Sequence, residues 1–152
     1  MPELTAELIV DMPLPGELAL SPDGARVAYT VMPVGKAEKH ARVAIWLAST
    51  DGRTPPRPFT ADTCENRRPQ WSPDGRQIAF LSDRAERGVA QLYAIGVDGG
   101  EARPLTPVAN KRPVTAFAWS PDGAHIAYSS VDEPDAEDKR REEERADPLV
   151  FG

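Results

Sequence analysis

Three stretches of the chain repeat one order of apolar and polar positions around the same turn signal. They read LSPDGARVAY from Leu20, WSPDGRQIAF from Trp71 and WSPDGAHIAY from Trp119. In each stretch an apolar residue precedes Ser-Pro-Asp-Gly, and a β-branched residue, an alanine and an aromatic residue come after it. Proline presets φ at the second turn position, and glycine accepts the left-handed backbone that closes a hairpin. The pattern predicts three β-hairpins.

We interpret the turn residues as structural, with no catalytic, cofactor-binding or metal-binding role. They are Ser21, Pro22, Asp23, Gly24, Ser72, Pro73, Asp74, Gly75, Ser120, Pro121, Asp122 and Gly123. Each aspartate stands alone in its turn, without the alternating carboxylates that a calcium loop requires. The turns recur with a period of about fifty residues, which is typical of a repeat architecture.

The strand after each turn alternates in side-chain size. Bulky residues fall on one face and alanine on the other: Val27, Tyr29, Ile78, Phe80, Ile126 and Tyr128 against Ala28, Ala79 and Ala127. Successive strand residues point to opposite faces of a sheet. A sheet with one solvated face would carry polar residues at the alanine positions. The alternation therefore favours sheets packed between two neighbours.

Two further segments complete the repeat. AIWLASTDGRTPPRPFT aligns with QLYAIGVDGGEARPLT, and each predicts a strand, a glycine-containing turn and a short strand that begins at Pro58 or Pro104. Proline is tolerated in edge strands, so this last strand is expected at the outside of its sheet. A four-stranded meander of about fifty residues is typical of a propeller blade.

The predicted fold class is all-β, a partial β-propeller of four-stranded antiparallel blades with about two and a half blades. Residues 1–15 are expected to form a helical or extended lead-in. Residues 16–60 and 61–109 are predicted as blades 1 and 2. Residues 110–152 are predicted as an incomplete blade 3 that carries a charged insertion at 132–147.

The repeat resembles the propeller repeat of TolB-like proteins and of the amino-terminal domains of prolyl oligopeptidase-family serine peptidases. Within these proteins, the chain more closely resembles the acylaminoacyl-peptidase and dipeptidyl-peptidase-like branch. It is carried by the leading segment from Leu4 to Tyr29 and by the charged run from Asp132 to Arg145, which begins at a DEP sequence.

In that peptidase family the propeller restricts access to an α/β-hydrolase active site and admits peptides. The resemblance implies the same gating role here, with the remainder of the propeller, an α/β-hydrolase domain and the parent's peptide substrate as partners. The family's nucleophile lies in a Gly-x-Ser-x-Gly elbow. No serine of this chain has glycine two positions before and after it, so we expect no catalysis by the chain itself.

Two alternatives stay open at this point. One is a TolB-like protein-interaction scaffold that belongs to no peptidase. The other concerns assembly: closed propellers have about four to eight blades, so the chain is expected to be the leading part of a larger protein or to self-associate through open blade edges.

The net charge, the amino terminus and a few single residues limit the partners, the location and the cofactors that we expect. The net charge of −6 argues against nucleic acid, and the amino terminus lacks both a signal peptide and a membrane span, which predicts a cytoplasmic protein. Cys64 is the single cysteine and permits no internal disulfide. His40 and His125 are predicted to be solvated, and no cofactor is expected. Glu142–Glu144 offer acids for a peptide amine, but interleaved arginines favour a solvated charged segment.

Overall fold

The computed structural model describes residues 13–33, 41–109 and 111–131, and the predicted insertion at 132–147 lies outside them. The described residues form ten strands in three antiparallel sheets, without a helix, which confirms the all-β prediction. The strands are β1 (Pro13–Leu20), β2 (Arg26–Pro33), β3 (Ala44–Ser49), β4 (Arg57–Pro58), β5 (Asn66–Trp71), β6 (Gln77–Ser82), β7 (Gln91–Gly96), β8 (Arg103–Pro104), β9 (Val114–Trp119) and β10 (Ile126–Ser130).

The first two sheets are four-stranded meanders. Their orders are β1-β2-β3-β4 and β5-β6-β7-β8, and β9 pairs with β10 in a third sheet. The proline-containing strands β4 and β8 each pair with a single neighbour and lie at the edge, where a missing backbone N–H is tolerated.

The proline-containing end of the segment 1–15 forms the start of the first sheet. Pro13 pairs with Pro33 and Pro15 with Val31, so β1 starts inside the segment 1–15 assigned to a lead-in. A proline-rich stretch reads poorly as a strand, yet β1 is the outermost member of its ladder and pairs only with β2. Proline is compatible with that position because one side of the strand needs no ladder hydrogen bond.

The three sheets stack face to face, with the second sheet between the other two. Within β6, Ile78 and Phe80 pack toward the first sheet, whereas Ala79 and Leu81 pack toward the third. Phe80 and Ala79 are both fully buried. The small residue lets the third sheet approach, and the bulky one fills the space on the other side. The predicted packing between two neighbours therefore describes the second sheet.

Two hydrophobic clusters hold the stack together. The cluster between the first and second sheets contains Ala28, Ile45, Leu47, Trp71, Ile78, Phe80, Tyr93, Ile95 and Val97. The cluster between the second and third sheets contains Ala79, Leu81, Leu92, Val114 and Phe117. In both clusters, the bulky face of one sheet packs against the alanine-bearing face of the preceding sheet. Every sheet therefore has the same orientation in the stack.

The outer face of the first sheet carries bulky apolar residues, as the corresponding face of the second sheet does, but no described sheet covers it. Ala19 packs into the first cluster, so Leu18 and Leu20 point the other way. Leu18 is 74% and Leu20 61% exposed. Leu18 pairs with Tyr29, which pairs in turn with Trp46, and the latter two are half-buried. No described segment covers this apolar row.

Hydrogen bonds also join the first strands of consecutive sheets. Trp71 Nε1 donates to the Ala19 carbonyl at 2.9 Å, which ties β5 to β1. Gln70 Nε2 donates to the Phe117 carbonyl at 3.0 Å, which ties β5 to β9. The strands β1, β5 and β9 therefore lie side by side along one edge of the stack.

Each Ser-Pro-Asp-Gly turn is closed by one repeated set of hydrogen bonds. In the second turn, Ser72 Oγ donates to Asp74 Oδ1 at 2.6 Å, and the Gln77 N–H donates to Ser72 Oγ at 2.9 Å. The Arg76 N–H donates to the same Asp74 oxygen at 3.0 Å. Gly75 has φ +69°, a left-handed value that glycine adopts without steric cost.

These bonds lower the pKa of the turn aspartates. For Asp74 the hydrogen bond from Ser72 is the largest cause, followed by the backbone N–H of Arg76. The same causes act on Asp23, through Ser21, and on Asp122, through Ser120. The charged carboxylate is therefore favoured in the folded turn.

Replacing Ala79 by leucine tests the limit on sheet spacing. A leucine there overfills the space toward the third sheet, and we expect the free energy of unfolding to fall by about 1–3 kcal/mol. Ala127, at the same repeat position, is exposed, and Ala127→Leu is the control. Urea unfolding followed by tryptophan fluorescence measures both. Equal losses in the two variants would contradict the packing argument.

The two turn-flanking tryptophans test the hydrogen bond between sheets. Trp71 Nε1 has an acceptor across the sheet interface, whereas the buried Trp119 Nε1 has none among the described residues. Both Trp71→Phe and Trp119→Phe remove ring volume. We expect Trp71→Phe to cost about 0.5–1.5 kcal/mol more, because only it loses a hydrogen bond. Thermal unfolding measures the difference, and an equal or larger loss in Trp119→Phe would refute it.

The lowered pKa of Asp74 makes the turn sensitive to acid. An aspartate whose pKa is lower in the folded than in the unfolded chain stabilises the fold fully above its unfolded pKa. This stabilisation is lost as the pH falls through the folded pKa. We therefore expect Asp74→Asn to melt below the wild type at pH 6, with the gap closing as the pH falls through the folded pKa of Asp74. Asp98→Asn, at an exposed position outside the three turns, is the control. A gap that is constant with pH would contradict the assignment.

Candidate functional site

The predicted turn residues lie together at one end of the stack. A Cβ placed on Gly75 would meet Pro22 Cδ at 3.6 Å, and one on Gly123 would meet Pro73 Cδ at 3.4 Å. Successive turns therefore touch, glycine against the proline of the turn before it. The three turns form the rim of the stack. Each turn aspartate accepts hydrogen bonds from its own turn, so the three carboxylates do not converge on one ligand.

The opposite end of the stack holds a cavity between the second and third sheets, which we call the β5–β9 cavity. Its volume is about 280 Å³. The wall comes from the start of β5, the end of β6, the loop after it and the start of β9: Glu65, Arg67, Arg68, Leu81, Asp83, Gly88, Ala90, Pro113, Val114 and Thr115. Antiparallel pairing places these strand ends together, away from the turns.

Both carboxylates of the cavity wall already have partners. Arg67 Nη2 lies 2.8 Å from Glu65 Oε2. Asp83 is 3% exposed and accepts from the backbone N–H groups of Glu65 at 2.8 Å and Gly88 at 3.0 Å. Arg87 Nη1 approaches the same carboxylate at 3.4 Å. Burying a carboxylate requires such donors, so Asp83 organises the loop that closes the cavity.

Arg68 differs from the other non-glycine residues of the cavity in its backbone. It is the single non-glycine residue with positive φ, at +53°, in the described part of the chain. It lies in a β-bulge between Arg67 and Gln70, directly before Pro69. Residues before proline avoid the α regions, and side chains disfavour positive φ, so this backbone is strained. The Arg68 N–H donates to Glu17 Oε2 of β1 at 2.6 Å, which holds the strained conformation.

A second polar cluster surrounds Cys64. The thiol is 6% exposed, and its Sγ lies 3.6 Å from Asn66 Oδ1 and 3.5 Å from Ser82 Oγ. Arg84 Nε donates to Ser82 Oγ at 3.1 Å, and its guanidinium lies 4.8 Å from the centre of the Tyr93 ring. Burial raises the pKa of the Tyr93 phenol. The sequence established Cys64 only as a single cysteine without a disulfide partner, and the structure makes it part of a buried network.

The remaining predicted residues do not converge on a site. His125 is exposed and directly precedes β10, whereas His40 and Glu142–Glu144 lie outside the described residues. Within the described ranges, no three metal-ligating side chains come together. The same ranges contain no helix of the length and apolarity that membrane crossing needs. Sequence reasoning missed Arg68, although its place before a proline in a predicted strand was a visible irregularity.

Comparison with known proteins relates the chain to peptidases. It is 38% identical over 130 residues to an uncharacterized peptidase of Bacillus subtilis, YuxL, covering 82% of this chain and 19% of that protein. It is 28% identical over 127 residues to dipeptidyl-peptidase 5 of Porphyromonas endodontalis, covering 84% and 18%. The chain thus spans about a fifth of the length of the curated relatives it matches. These matches confirm the likeness to peptidase propellers.

Structure and family comparison lead to the same fold. The solved structure of a putative TolB from Agrobacterium tumefaciens superposes with a TM-score of 0.64 at 27% identity, covering 78% of this chain and 39% of that one. The family model PD40, described as the TolB β-propeller domain, matches residues 15–142. With its repeated turns and directionally stacked four-stranded sheets, the chain belongs to the TolB β-propeller domain family.

Proposed function

We propose that the chain forms part of the propeller of a serine peptidase that acts on peptides. In this proposal the stacked sheets are a scaffold and a size-selective gate for an α/β-hydrolase domain of the same protein. The cytoplasmic setting remains a prediction of the amino-terminal sequence. The proposal rests on the peptidase relatives, which match more than four-fifths of the chain.

The observation that carries the gating role is the alignment of β1, β5 and β9. Two hydrogen bonds between sheets and two apolar clusters tie these strands into one wall. Side chains in closely packed interiors have little room to yield. As part of a closed ring, such a wall would yield little to a folded chain and would leave passage for an extended peptide, which is the steric basis of the proposed gate.

We infer that the described part of the chain contributes no catalytic triad. Ser120, Asp122 and His125 do bring the three residue types of a triad into one turn. Ser120 Oγ donates to Asp122 Oδ1 at 2.5 Å, and its contacts with His125 are to the backbone N–H and carbonyl. A triad requires the imidazole to accept the serine proton. The equivalent turns make the same bonds with Arg26 or Gln77 in place of histidine, so the contact is structural.

A TolB-like interaction scaffold is the second candidate. It is favoured by the structural likeness to the putative TolB of Agrobacterium tumefaciens, which extends over 78% of this chain. On this alternative the exposed apolar row of the first sheet, with Leu18 and Leu20, meets a protein partner and no hydrolase domain exists.

An activity assay on two proteins separates the candidates. We expect the protein from the complete reading frame to hydrolyse fluorogenic acyl-peptides and to be blocked by a serine-directed phosphonate. The 152-residue chain alone is expected to be inactive. Activity of the chain that persists through repurification would contradict the non-catalytic role. A complete protein without turnover would favour the scaffold.

The gate is tested in the complete protein with one reporter offered in folded and in unfolded form. We expect the unfolded form to be cleaved and the folded form to resist. Ala79→Leu disturbs the contact between sheets and is expected to raise the folded-to-unfolded cleavage ratio, whereas Ala124→Leu, at an exposed turn position outside that contact, is the control. A ratio that is the same in both variants would refute gating by this wall.

A further inference from the structure

We propose that the β5–β9 cavity is a binding site for a carboxylate, with Arg68 as its principal recognition residue. The class of ligand is a small organic acid or the carboxylate of a peptide. The site is separate from the turn rim, because it lies at the opposite end of the strands. The inference does not depend on the proposed peptidase function, since it concerns binding by this chain itself.

The charge balance of the cavity favours an anion. Glu65 is paired with Arg67, and Asp83 accepts its hydrogen bonds from two backbone N–H groups and Arg87. The Arg68 guanidinium, by contrast, has no hydrogen-bonding or ionic partner among the described residues. A guanidinium presents a planar fork of N–H donors that matches a carboxylate in two-point contact. The Glu17 carboxylate lies close by, but it accepts the backbone N–H of Arg68 and leaves the guanidinium in the cavity wall without a direct partner among the described residues.

The repeat shows that the arginine is not needed to build the blade. Four positions before each turn serine the three repeats carry Glu17, Arg68 and Ala116, an acid, a base and an apolar residue. The bulge itself recurs in β1 and at the β9–β10 pairing without an arginine. A requirement of the sheet would have produced similar residues at this position. The arginine is thus particular to the second sheet.

The backbone strain points in the same direction. Strained residues persist where surrounding contacts enforce them, and they gather at ligand-binding positions. Glu17 enforces this one by accepting the Arg68 N–H from the neighbouring sheet at 2.6 Å. Asparagine or glycine would occupy the left-handed region with less strain, yet neither carries a charge. The strained backbone and the guanidinium without a direct partner in the described part of the chain therefore belong to the same residue of the cavity wall.

Nuclear magnetic resonance on the 152-residue chain tests the site directly. The ¹H–¹⁵N spectrum is recorded while N-acetyl-alanyl-alanine is added as the free acid, and separately as its carboxy-terminal amide, at matched ionic strength. We expect the acid to shift the amide signals of Arg68, Gly88 and Thr115 in a saturable manner and the amide form to leave them unchanged. Equal shifts with both forms would overturn the proposal.

Sodium acetate, titrated in the same way, distinguishes the two sources of the carboxylate. Acetate that binds as tightly as the peptide acid identifies a site for a free small acid. A peptide acid that binds at least about tenfold more tightly identifies a site that also contacts peptide atoms, since each tenfold step marks added contact energy. Either result supports a carboxylate site, and no saturable binding of either compound contradicts it.

Variants assign the binding to Arg68. Arg68→Gln keeps side-chain length without charge and is expected to weaken binding at least about tenfold, in keeping with the strength of charge-assisted hydrogen bonds. Arg68→Lys keeps the charge and should retain part of the affinity. Arg76→Gln, an exposed arginine at the turn rim, is the matched control and should bind like the wild type. Wild-type affinity in Arg68→Gln would overturn the assignment.

A salt titration on the unmodified chain keeps the proposal testable if Arg68→Gln folds poorly. An exposed ion pair is screened as the ionic strength rises, so the affinity of the peptide acid should fall steadily between low and high salt. The spectrum without ligand serves as the folding control for each variant. An affinity that is indifferent to salt would exclude an arginine–carboxylate contact.

Discussion

The packing of a bulky sheet face against the alanine-bearing face of the preceding sheet is the constraint on which the structure depends. Phe80 and Ala79 lie back to back in β6, and both are fully buried, one in each apolar cluster. Two large faces would hold the sheets apart, and two small faces would leave cavities, which are costly in a close-packed interior. The alternation sets both the spacing and the direction in which sheets follow each other.

The first strands derive their position from that stacking. Once the sheets pack in order, β1, β5 and β9 meet along one edge, where polar groups replace the apolar contacts of the clusters. Glu17 then reaches the Arg68 backbone, and Trp71 reaches the Ala19 carbonyl. The β5–β9 cavity is a product of the same arrangement, because the ends of strands from two sheets leave space between them.

Fold and chemistry separate clearly in this protein. The chain belongs to the TolB β-propeller family, and its repeat places the turn serines, aspartates and glycines in one recurring hydrogen-bonded geometry. What distinguishes this chain within its own repeat is the content of particular positions, above all Arg68 and the buried cluster around Cys64. Function is therefore to be sought where the repeats differ.

The sequence by itself determined the strands, the turns and the propeller class, because these follow from local rules. Ser-Pro-Asp-Gly specifies a turn wherever it occurs, and the alternation of phenylalanine or tyrosine with alanine specifies the two faces of a strand. Even the edge position of Pro58 and Pro104 followed from the missing N–H of proline.

Only the tertiary structure decided which residues from different sheets meet. Glu17 and Arg68 are far apart in the chain, as are Gln70 and Phe117. No local sequence pattern predicts that these residues are in contact. The burial of Cys64 and the strained backbone of Arg68 likewise result from neighbouring sheets pressing on a bulge and a loop. The start of β1 at Pro13 also depends on a distant contact, because this proline-containing segment is a strand through its pairing with β2. Local sequence patterns therefore determine the strands and turns, whereas contacts between residues distant in sequence form the β5–β9 cavity and the Arg68 conformation.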